Sequence, residues 1–477
     1  MSSTPDHLQA VSAPTASIAA ARTSLAARIQ YWIGLDRAIV FTVLARGWSS
    51  MAGVVTVVLI ARLLTPSEQG YYYTFYSLVA LQIIFELGFS FVVVQMAAHE
   101  RVHLRFGPDG AVEGDAVAAA RLASVLRISL KWYSVAGVLM LLGLLPAGFW
   151  FFTTHRHAAV SWQFPWCLLA LTSSAAFVID PVFSFLEGCG YVADVAHRRM
   201  AQAVLGSLLA WGAMLGHQGL YAPAMVIVGQ VVVGAYYLFA SPMRRLLERL
   251  LAVKVGANAI SWRTEIWPFQ WRIAISWLCG YFIFSIFSPV LFAFRGPVEA
   301  GRMGMSLGIV TSLQGVTFAW MNTKASPFGA LIAQRDFPTL DRVFFRTLWQ
   351  STLLLASGSV ALFAVVLASG RWFPRFAARL LDPPPFLCLL LAVLLMHVVI
   401  CEAIYLRAHK REPYLGLSIL TAVLVASSTV LCARLWGAGA VAASYLAFGG
   451  ALNLALATFI FVRKRREWHD KSCRRFA

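Results

Sequence analysis

Long apolar runs constrain the fold of this chain more than any other feature of its sequence. Runs of about 18 residues or more are long enough to cross a bilayer as helices. The composition agrees, because 59% of the 477 residues are hydrophobic and 13% are charged, whereas a soluble domain carries about a quarter charged residues. Lipid must be the solvent for most of the chain. The predicted spans lie near 38–63, 71–97, 129–152, 162–186, 199–216, 219–240, 267–294, 302–323, 346–370, 386–406, 412–433 and 437–461.

The distribution of basic residues predicts the orientation of these twelve spans. With the N-terminus inside, 29 of the 39 Lys and Arg residues fall in cytoplasmic segments, and Arg46 and Arg272 lie within spans. Basic residues are enriched on the cytoplasmic side of membrane proteins, so we expect both termini in the cytoplasm. The same clustering indicates that the net charge of +18 serves contact with anionic lipid and orientation in the membrane, and not the binding of nucleic acid. The remaining eight arginines fall outside: Arg62, Arg156, Arg295, Arg302, Arg371, Arg375, Arg379 and Arg434.

A short motif occurs once in each half of the chain, just after the first predicted span of that half. The segments 66–70 and 297–301 both read P-x-E-x-G. Proline and glycine suit a tight outer turn, and a glutamate near a helix start interacts favourably with the helix dipole. We interpret the two segments as structural turns of an internal repeat. The equivalent positions are Pro66, Glu68, Gly70, Pro297, Glu299 and Gly301.

The repeat divides the chain into two lobes of six spans each. Because each half has an even number of spans, the two copies run parallel and are related by an axis along the membrane normal. We therefore expect an all-α polytopic membrane protein with two parallel six-helix lobes around a central cavity, an architecture typical of alternating-access transporters. The predicted segments are a cytoplasmic N-terminal tail at 1–37, an N-lobe at 38–240, a cytoplasmic linker at 241–266, a C-lobe at 267–462 and a basic cytoplasmic tail at 463–477.

The first two spans of each half resemble a known family. Residues 43–100, with LIARLLTPSEQGYYY at 59–73 and FELGF at 85–89, resemble the start of bacterial polysaccharide flippases. These are the O-antigen (Wzx-type) branch of the multidrug/oligosaccharidyl-lipid/polysaccharide (MOP) exporter superfamily. The second half, from WRIA at 271–274 through GPVEAG at 296–301, is similar to membrane proteins of O-antigen or teichoic acid export.

This resemblance implies a flippase of the bacterial inner membrane. Its substrate would be an undecaprenyl-pyrophosphate-linked oligosaccharide that passes from the inner to the outer leaflet for surface polysaccharide synthesis. The resemblance also implies a cationic or polar central cavity and an ion gradient in place of ATP. Membrane lipid, the lipid-linked substrate, and polysaccharide polymerase and chain-length proteins are the partners that it suggests.

Ionisable residues inside spans are the candidates for function, because they are costly in lipid and usually face a cavity or a partner. Arg46 in span one and Glu86 in span two differ in depth by roughly 6 Å at 1.5 Å per residue. They form either a structural pair or a substrate site in which Arg46 meets the pyrophosphate and Glu86 positions it or exchanges a proton. Arg272 either snorkels to the interface beside Trp271 or faces Arg46 across the cavity mouth. Two guanidinium forks suit a pyrophosphate.

Three carboxylates are candidates for ion or proton coupling: Glu86, Asp180 and Glu402. Asp180 precedes Pro181, so it is either a capping carboxylate at a helix kink or a cation site. Glu402 lies near Arg407 and Lys410, which also permits an interfacial salt bridge.

Neither an enzyme nor a cofactor is expected. No G-x-x-x-x-G-K-[ST] occurs, so this chain does not hydrolyse ATP through a P-loop. The seven cysteines are scattered, and none forms a C-x-x-C, so they predict free thiols and no metal site. Two alternatives to the flippase remain open: an ion-coupled multidrug or metabolite antiporter of the same fold, and a membrane-embedded polysaccharide polymerase or ligase.

Overall fold

The computed structural model describes residues 37–107, 110–155, 160–240, 243–256, 259–409 and 411–474. Most of the predicted N-terminal tail, Lys410 and the last three residues lie outside these ranges. Within them the chain forms helices and one small hairpin, β1 Leu104–Phe106 and β2 Val112–Gly114. The helices of the first half are α1 Arg37–Leu63, α2 Pro66–Glu86, α3 Phe89–Arg101, α4 Ala116–Thr154, α5 Gln163–Gly188, α6 Val192–Leu215 and α7 Gly219–Ala240. Those that follow are α8 Met243–Ala252, α9 Trp267–Phe284, α10 Phe287–Arg295, α11 Pro297–Asn322, α12 Ala325–Gln334, α13 Phe337–Trp372, α14 Pro374–Ala377, α15 Pro383–Ala408, α16 Leu415–Leu435 and α17 Ala438–His469.

The all-helical polytopic architecture is confirmed. Among the described helices, eight are long and apolar enough to cross a membrane, and up to ten are if two bent pairs each count as one span. The bent pairs are α2 with α3, at 47°, and α9 with α10, at 44°. The two other predicted spans, near 199–216 and 302–323, fall on α6 and α11. These helices have 24 and 26 residues, enough to span a bilayer by length, but their polar residues keep them below the same measure of apolarity.

The bend between α2 and α3 has a local cause in the backbone. Leu87 and Gly88 both adopt left-handed conformations, with φ of 49° and 67°. Two such residues in succession end the helix, and glycine takes this conformation without steric cost. A Cβ on Gly88 would also clash with Cγ2 of Ile273, on α9. The sequence predicted a span at 71–97, which these two helices can form together. The break within it was not predicted, because the close approach of α9 is not visible in the sequence.

Each half of the chain packs mainly on itself. We call α1 to α7 the N-lobe and α9 to α17 the C-lobe. In the N-lobe, the Trp48 indole on α1 donates to the Ala203 carbonyl at 3.2 Å and the Ser207 hydroxyl at 3.0 Å, both on α6. The Trp211 indole of α6 returns a hydrogen bond to Thr56 at 2.9 Å. In the C-lobe, α9 packs on α16, and α15 packs on α13, α11 and α17.

The predicted linker is folded against the N-lobe. Arg127 of α4 donates to the carbonyl oxygens of Leu251 and Val253, both at 2.7 Å. The Trp262 ring stacks on the Trp132 ring of α4 at a centroid distance of 4.8 Å. The linker therefore follows the surface of α4 before the chain enters the C-lobe.

Candidate functional site

The two P-x-E-x-G turns lie against each other at the interface between the lobes. They begin α2 and α11, and these two helices touch backbone to backbone. A Cβ on Gly70 would lie 2.7 Å from the Cα of Pro297 and closer still to its carbonyl oxygen. A Cβ on Gly301 would lie 2.9 Å from the Gly70 nitrogen. Each glycine is thus required by the turn of the other half, as expected of a repeat related by a twofold axis. We call this end of the molecule, defined by segments 66–70 and 297–301, the turn end.

Gln69 and Arg379 connect the lobes at the turn end. The buried Gln69 amide donates to the carbonyl oxygens of Gly301, at 2.9 Å, and Arg379, at 3.0 Å. Arg379 donates through Nη2 to the carbonyl oxygen of Leu64 at 2.5 Å. We call this pair, Gln69 and Arg379, the turn-end latch. With the glycine contact it closes the lobes on each other at this end, and the sequence analysis did not identify either residue.

The two glutamates of the repeat act at different helices. Glu68 forms a capping box at the start of its own helix, where its carboxylate accepts from the Thr65 amide at 2.8 Å. Glu299 instead accepts from the Ala438 amide at 2.9 Å and so caps α17. Both glutamates lie in the first turn of their own helix, which confirms the expectation of a favourable position at the helix dipole. The additional role of Glu299 as a cap of α17 was not predicted, because Ala438 is distant from it in the sequence.

Arg46 and Arg272 lie on the first helix of each lobe, far from the turn end. Arg46 is the tenth residue of α1, and Arg272 is the sixth residue of α9. Both side chains are exposed. Among the described residues neither forms an ion pair with a carboxylate, and the Arg272 guanidinium lies 5.4 Å from the Trp271 ring centroid. The next residue after Arg272 is the one that packs on Gly88, so Arg272 borders a contact between the lobes.

Glu86 lies at the break between α2 and α3 and does not pair with Arg46. Its carboxylate accepts a hydrogen bond from the Ser90 hydroxyl at 2.5 Å. It lines a cavity of about 330 Å³ inside the N-lobe, which we call the N-lobe cavity, together with Asp180 and Ser173. Ser173 is buried, and its hydroxyl has no hydrogen-bond partner in the part of the chain that the structure describes. The cavity therefore joins two carboxylates to a hydroxyl that is available to a ligand.

Asp180 has a cationic partner that the sequence analysis missed. Arg198 of α6 donates to one carboxylate oxygen of Asp180, and its guanidinium lies 3.3 Å from the Phe183 ring centroid. The Arg198 side chain is 3% exposed and that of Asp180 is 51% exposed. The pair joins α5 to α6, while the exposed part of Asp180 faces the N-lobe cavity.

Glu402 is buried in the C-lobe and forms no salt bridge within the described ranges, which leave out Lys410. Its carboxylate accepts from the Tyr414 hydroxyl at 3.1 Å and the Thr458 hydroxyl at 2.9 Å. Arg407 pairs instead with Glu412, at 2.8 Å. The salt-bridge interpretation through Arg407 is wrong, because the chain turns after α15 and brings Glu412 to Arg407.

Residues 99–103 read H-E-R-V-H, the H-E-x-x-H spacing of a zinc site. The prediction that the chain has no such motif was wrong. Such a site needs both histidines on one helix face, and α3 ends at Arg101, before His103. The Glu100 carboxylate accepts from Arg121 at 2.8 Å. No group of three or more possible metal ligands occurs among the described residues. This segment therefore lacks the geometry of a zinc hydrolase.

Residues 304–308 read G-M-S-L-G and match the G-x-S-x-G spacing of hydrolase nucleophiles, which the sequence analysis also overlooked. That motif requires a sharp turn between a strand and a helix, whereas Ser306 lies inside α11. Its buried hydroxyl accepts a hydrogen bond from the Leu381 amide at 2.9 Å. Ser306 has a structural role between α11 and the segment before α15.

Solved structures of transporters match the chain along most of its length. The lipid II flippase MurJ, in an inward closed conformation, matches with a TM-score of 0.62 and 10% identity over 89% of both chains. The chain has the fold of these transporters. An outward-facing multidrug resistance MATE family transporter of the MOP superfamily matches with a TM-score of 0.51 and 14% identity, over 91% of this chain and 96% of the other. No protein-family model matches the chain, and no curated protein matches it in sequence.

These matches establish the fold of a multi-pass membrane transporter. They include a flippase and a multidrug transporter, so they are compatible with two of the predicted functions, and these matched proteins are transporters, not enzymes. The fold alone does not assign a substrate, which has to be argued from the residues of the site.

Proposed function

We propose that this protein is a flippase that moves a polyprenyl-pyrophosphate-linked oligosaccharide across the bacterial inner membrane by alternating access, for surface polysaccharide synthesis. In this proposal both termini are cytoplasmic and the turn end faces outwards. A polysaccharide polymerase and a chain-length protein would then use the product on the outer side.

The observation that carries this proposal is a pair of arginines, Arg46 and Arg272, that have no carboxylate partner among the described residues. They lie on the first helix of each lobe, and an uncompensated guanidinium is costly inside a membrane. The acidic side chains of the spans do not neutralise them, because Asp180 is bonded to Arg198 and Glu402 is buried within the C-lobe. A pyrophosphate supplies the missing negative charge, and guanidinium forks bind its oxygens bidentately.

The closed turn end supports a direction for transport. Because the latch and the glycine contact join the lobes there, a substrate reaches Arg46 and Arg272 from the opposite end, which we assign to the cytoplasm. Release at the turn end then requires α2 and α11 to separate. Alternation between these two arrangements is the motion expected of two parallel lobes.

The N-lobe cavity supports an ion-coupled cycle. Glu86 and Asp180 offer carboxylate oxygens to a proton or a small cation, and the Ser173 hydroxyl, which has no partner among the described residues, adds a further oxygen ligand. Glu86 lies at the break between α2 and α3, beside the contact of Gly88 with α9. Protonation or cation binding at Glu86 would therefore act on a contact between the lobes. Glu402 offers a second carboxylate, inside the C-lobe.

The test is complementation of a strain that lacks this gene. We expect Arg46→Ala and Arg272→Ala each to abolish surface polysaccharide while the protein reaches the membrane in normal amount. Arg434→Ala is the matched control, because Arg434 is an exposed arginine at the turn end, away from the proposed substrate site. Normal polysaccharide with both Arg46→Ala and Arg272→Ala would refute the proposed substrate site.

The second candidate is an ion-coupled multidrug or metabolite antiporter, favoured by the fold likeness to the MATE transporter and by the two carboxylates of the N-lobe cavity. A cationic drug would be repelled by Arg46 and Arg272, which argues against it. Drug sensitivity of the deletion strain together with intact surface polysaccharide would establish this function in place of the flippase.

A further inference from the structure

A second, larger cavity opens at the turn end between the lobes. It has a volume of about 1260 Å³ and is bounded by the last turns of α1, the first turns of α11, the end of α13, and residues 373–379. We call it the turn-end groove. Val58, Val298 and Val365 contribute to an apolar wall. The exposed rings of Trp372 and Phe373 stand at its edge, as aromatic side chains do at the level of lipid headgroups.

Four arginines line this groove: Arg62, Arg302, Arg375 and Arg379. They are half of the eight arginines that the charge count assigned to the outer side. No acidic side chain is among the described residues that line the groove. Glu68 interacts electrostatically with Arg379, but its carboxylate is bonded to Thr65 in the capping box. The groove therefore has an excess of positive charge next to an apolar wall.

Two of these arginines are held in place and two are not. Arg302 donates through Nε to the Ala378 carbonyl at 3.0 Å, and Arg379 is held by the latch. These bonds fix the position of each guanidinium, and that of Arg379 also donates through Nη1 to Gln69 at 3.5 Å. Arg62 and Arg375 are exposed, and neither has an ion-pair or hydrogen-bond partner within the described ranges. The four arginines therefore combine two guanidinium groups that are already held in position with two that can move onto a ligand.

We propose that the turn-end groove binds the product of transport as it leaves the protein, with the pyrophosphate on the four arginines and the first isoprenoid units against the apolar wall. This inference rests on the proposed function for the identity of the lipid. Charge and polarity both support it, because the ligand must have an anionic head with several acceptor oxygens and an apolar tail. A soluble phosphate would leave the apolar wall bare, and a neutral lipid would leave the arginines unpaired.

Arg379 connects this groove to the latch. The same guanidinium that lines the groove donates to the Leu64 carbonyl across the lobes. A pyrophosphate in the groove competes for its N–H groups, and a charged acceptor binds them more strongly than a carbonyl. Occupation of the groove would thus weaken the closed turn end when product is present.

The test uses the full-length protein in nanodiscs of zwitterionic phosphatidylcholine, with radiolabelled geranylgeranyl pyrophosphate as the probe. The protein carries Arg46→Ala and Arg272→Ala, so that binding at the proposed substrate site does not contribute. We expect saturable binding that Arg62→Gln with Arg375→Gln weakens by about tenfold or more, since each charged hydrogen bond is lost. Arg434→Gln is the matched control at the same end and is expected to leave the affinity unchanged. Geranylgeraniol, which lacks the pyrophosphate, should compete poorly.

Three outcomes would overturn the assignment. They are an unchanged affinity in the Arg62/Arg375 variant, equal competition by geranylgeraniol, and equal competition by phosphatidylglycerol, which would make the groove a site for ordinary anionic lipid. Thermal melting of the variant checks that it is folded, and both substituted side chains are exposed. If the deletion strain makes normal surface polysaccharide, the proposed function is refuted. If the protein still binds the probe in that case, the groove remains a prenyl-pyrophosphate site.

Discussion

Replacement of Gly70 by alanine tests the closed turn end most directly. The added Cβ would lie 2.7 Å from the Cα of Pro297, whereas carbon atoms pack at about 3.5–4.0 Å. The obstacle is backbone, which cannot rotate away as a flexible side chain can. We therefore expect α2 and α11 to separate by about 1 Å at this point.

That separation is enough to break the latch. The bond from Gln69 to Gly301 is 2.9 Å long, and about 1 Å more takes it beyond hydrogen-bond range. The bond from Gln69 to Arg379 and the charged bond from Arg379 to Leu64 cross the same interface. Neutral bonds contribute about 0.5–1.5 kcal/mol each and charged ones about 1.5–3 kcal/mol. A loss of at least about 2 kcal/mol shifts the ratio of open to closed molecules by about thirtyfold.

The assay is a distance measurement between spin labels at Leu215 and Leu435, exposed residues at the turn-end termini of α6 and α16. Gly70→Ala should move the distance distribution to longer values and reduce surface polysaccharide. Gly212→Ala is the matched control, because a Cβ there meets no atom within 4 Å. Gly301→Ala should give a similar shift of the distance distribution. The double variant should give a shift smaller than the sum of the two, because both substitutions disrupt the same contact between α2 and α11. An unchanged distribution in Gly70→Ala would show that the turn-end contact does not hold the lobes together.

Three further predictions concern charged groups. Arg198→Met should lower the free energy of unfolding by about 1–3 kcal/mol, because it breaks a buried charge pair. Arg199→Met removes a more exposed pair and should change the free energy of unfolding by less than about 1 kcal/mol. Equal thermal stability of the two variants would contradict this prediction. The hydrogen bond from Arg121 lowers the pKa of Glu265 from its ordinary value of 4.5, so the pair stabilises the folded protein at pH values above 4.5. When the pH falls below 4.5, the wild type should therefore lose more thermal stability than Glu265→Gln. Glu86→Gln should abolish the dependence of transport on the ion gradient in vesicles, and an unchanged dependence would exclude Glu86 from coupling.

The helices and the repeated turns were predictable from sequence because their causes are local. Apolar runs of spanning length fold as helices in lipid, and a proline and a glycine at fixed offsets mark a turn wherever they occur. The break at Leu87 and Gly88 was not predicted, although a glycine within an apolar run was its visible signal. Its position depends on Ile273, which is distant in sequence and close only in the folded protein.

The partners of the charged residues could not be read from the sequence for the same reason. Depth along a helix suggested that Glu86 pairs with Arg46, but depth does not give the direction in which a side chain points. Proximity in sequence suggested a salt bridge from Glu402 to Arg407, but the turn after α15 provides Arg407 with another carboxylate. Each such pairing is decided by packing between helices.

The pairing of charges is also what distinguishes the two transporter functions. Ion coupling through Glu86 and Asp180 is proposed for both candidates, so these residues do not separate them. They differ in the charge that the substrate must bring between the lobes. Arg46 and Arg272 lie on the first helix of each lobe without carboxylate partners among the described residues, and four further arginines line the turn-end groove. A cationic drug would meet repulsion at both places, whereas a pyrophosphate carried on an apolar chain would meet a favourable charge at each step from one leaflet to the other.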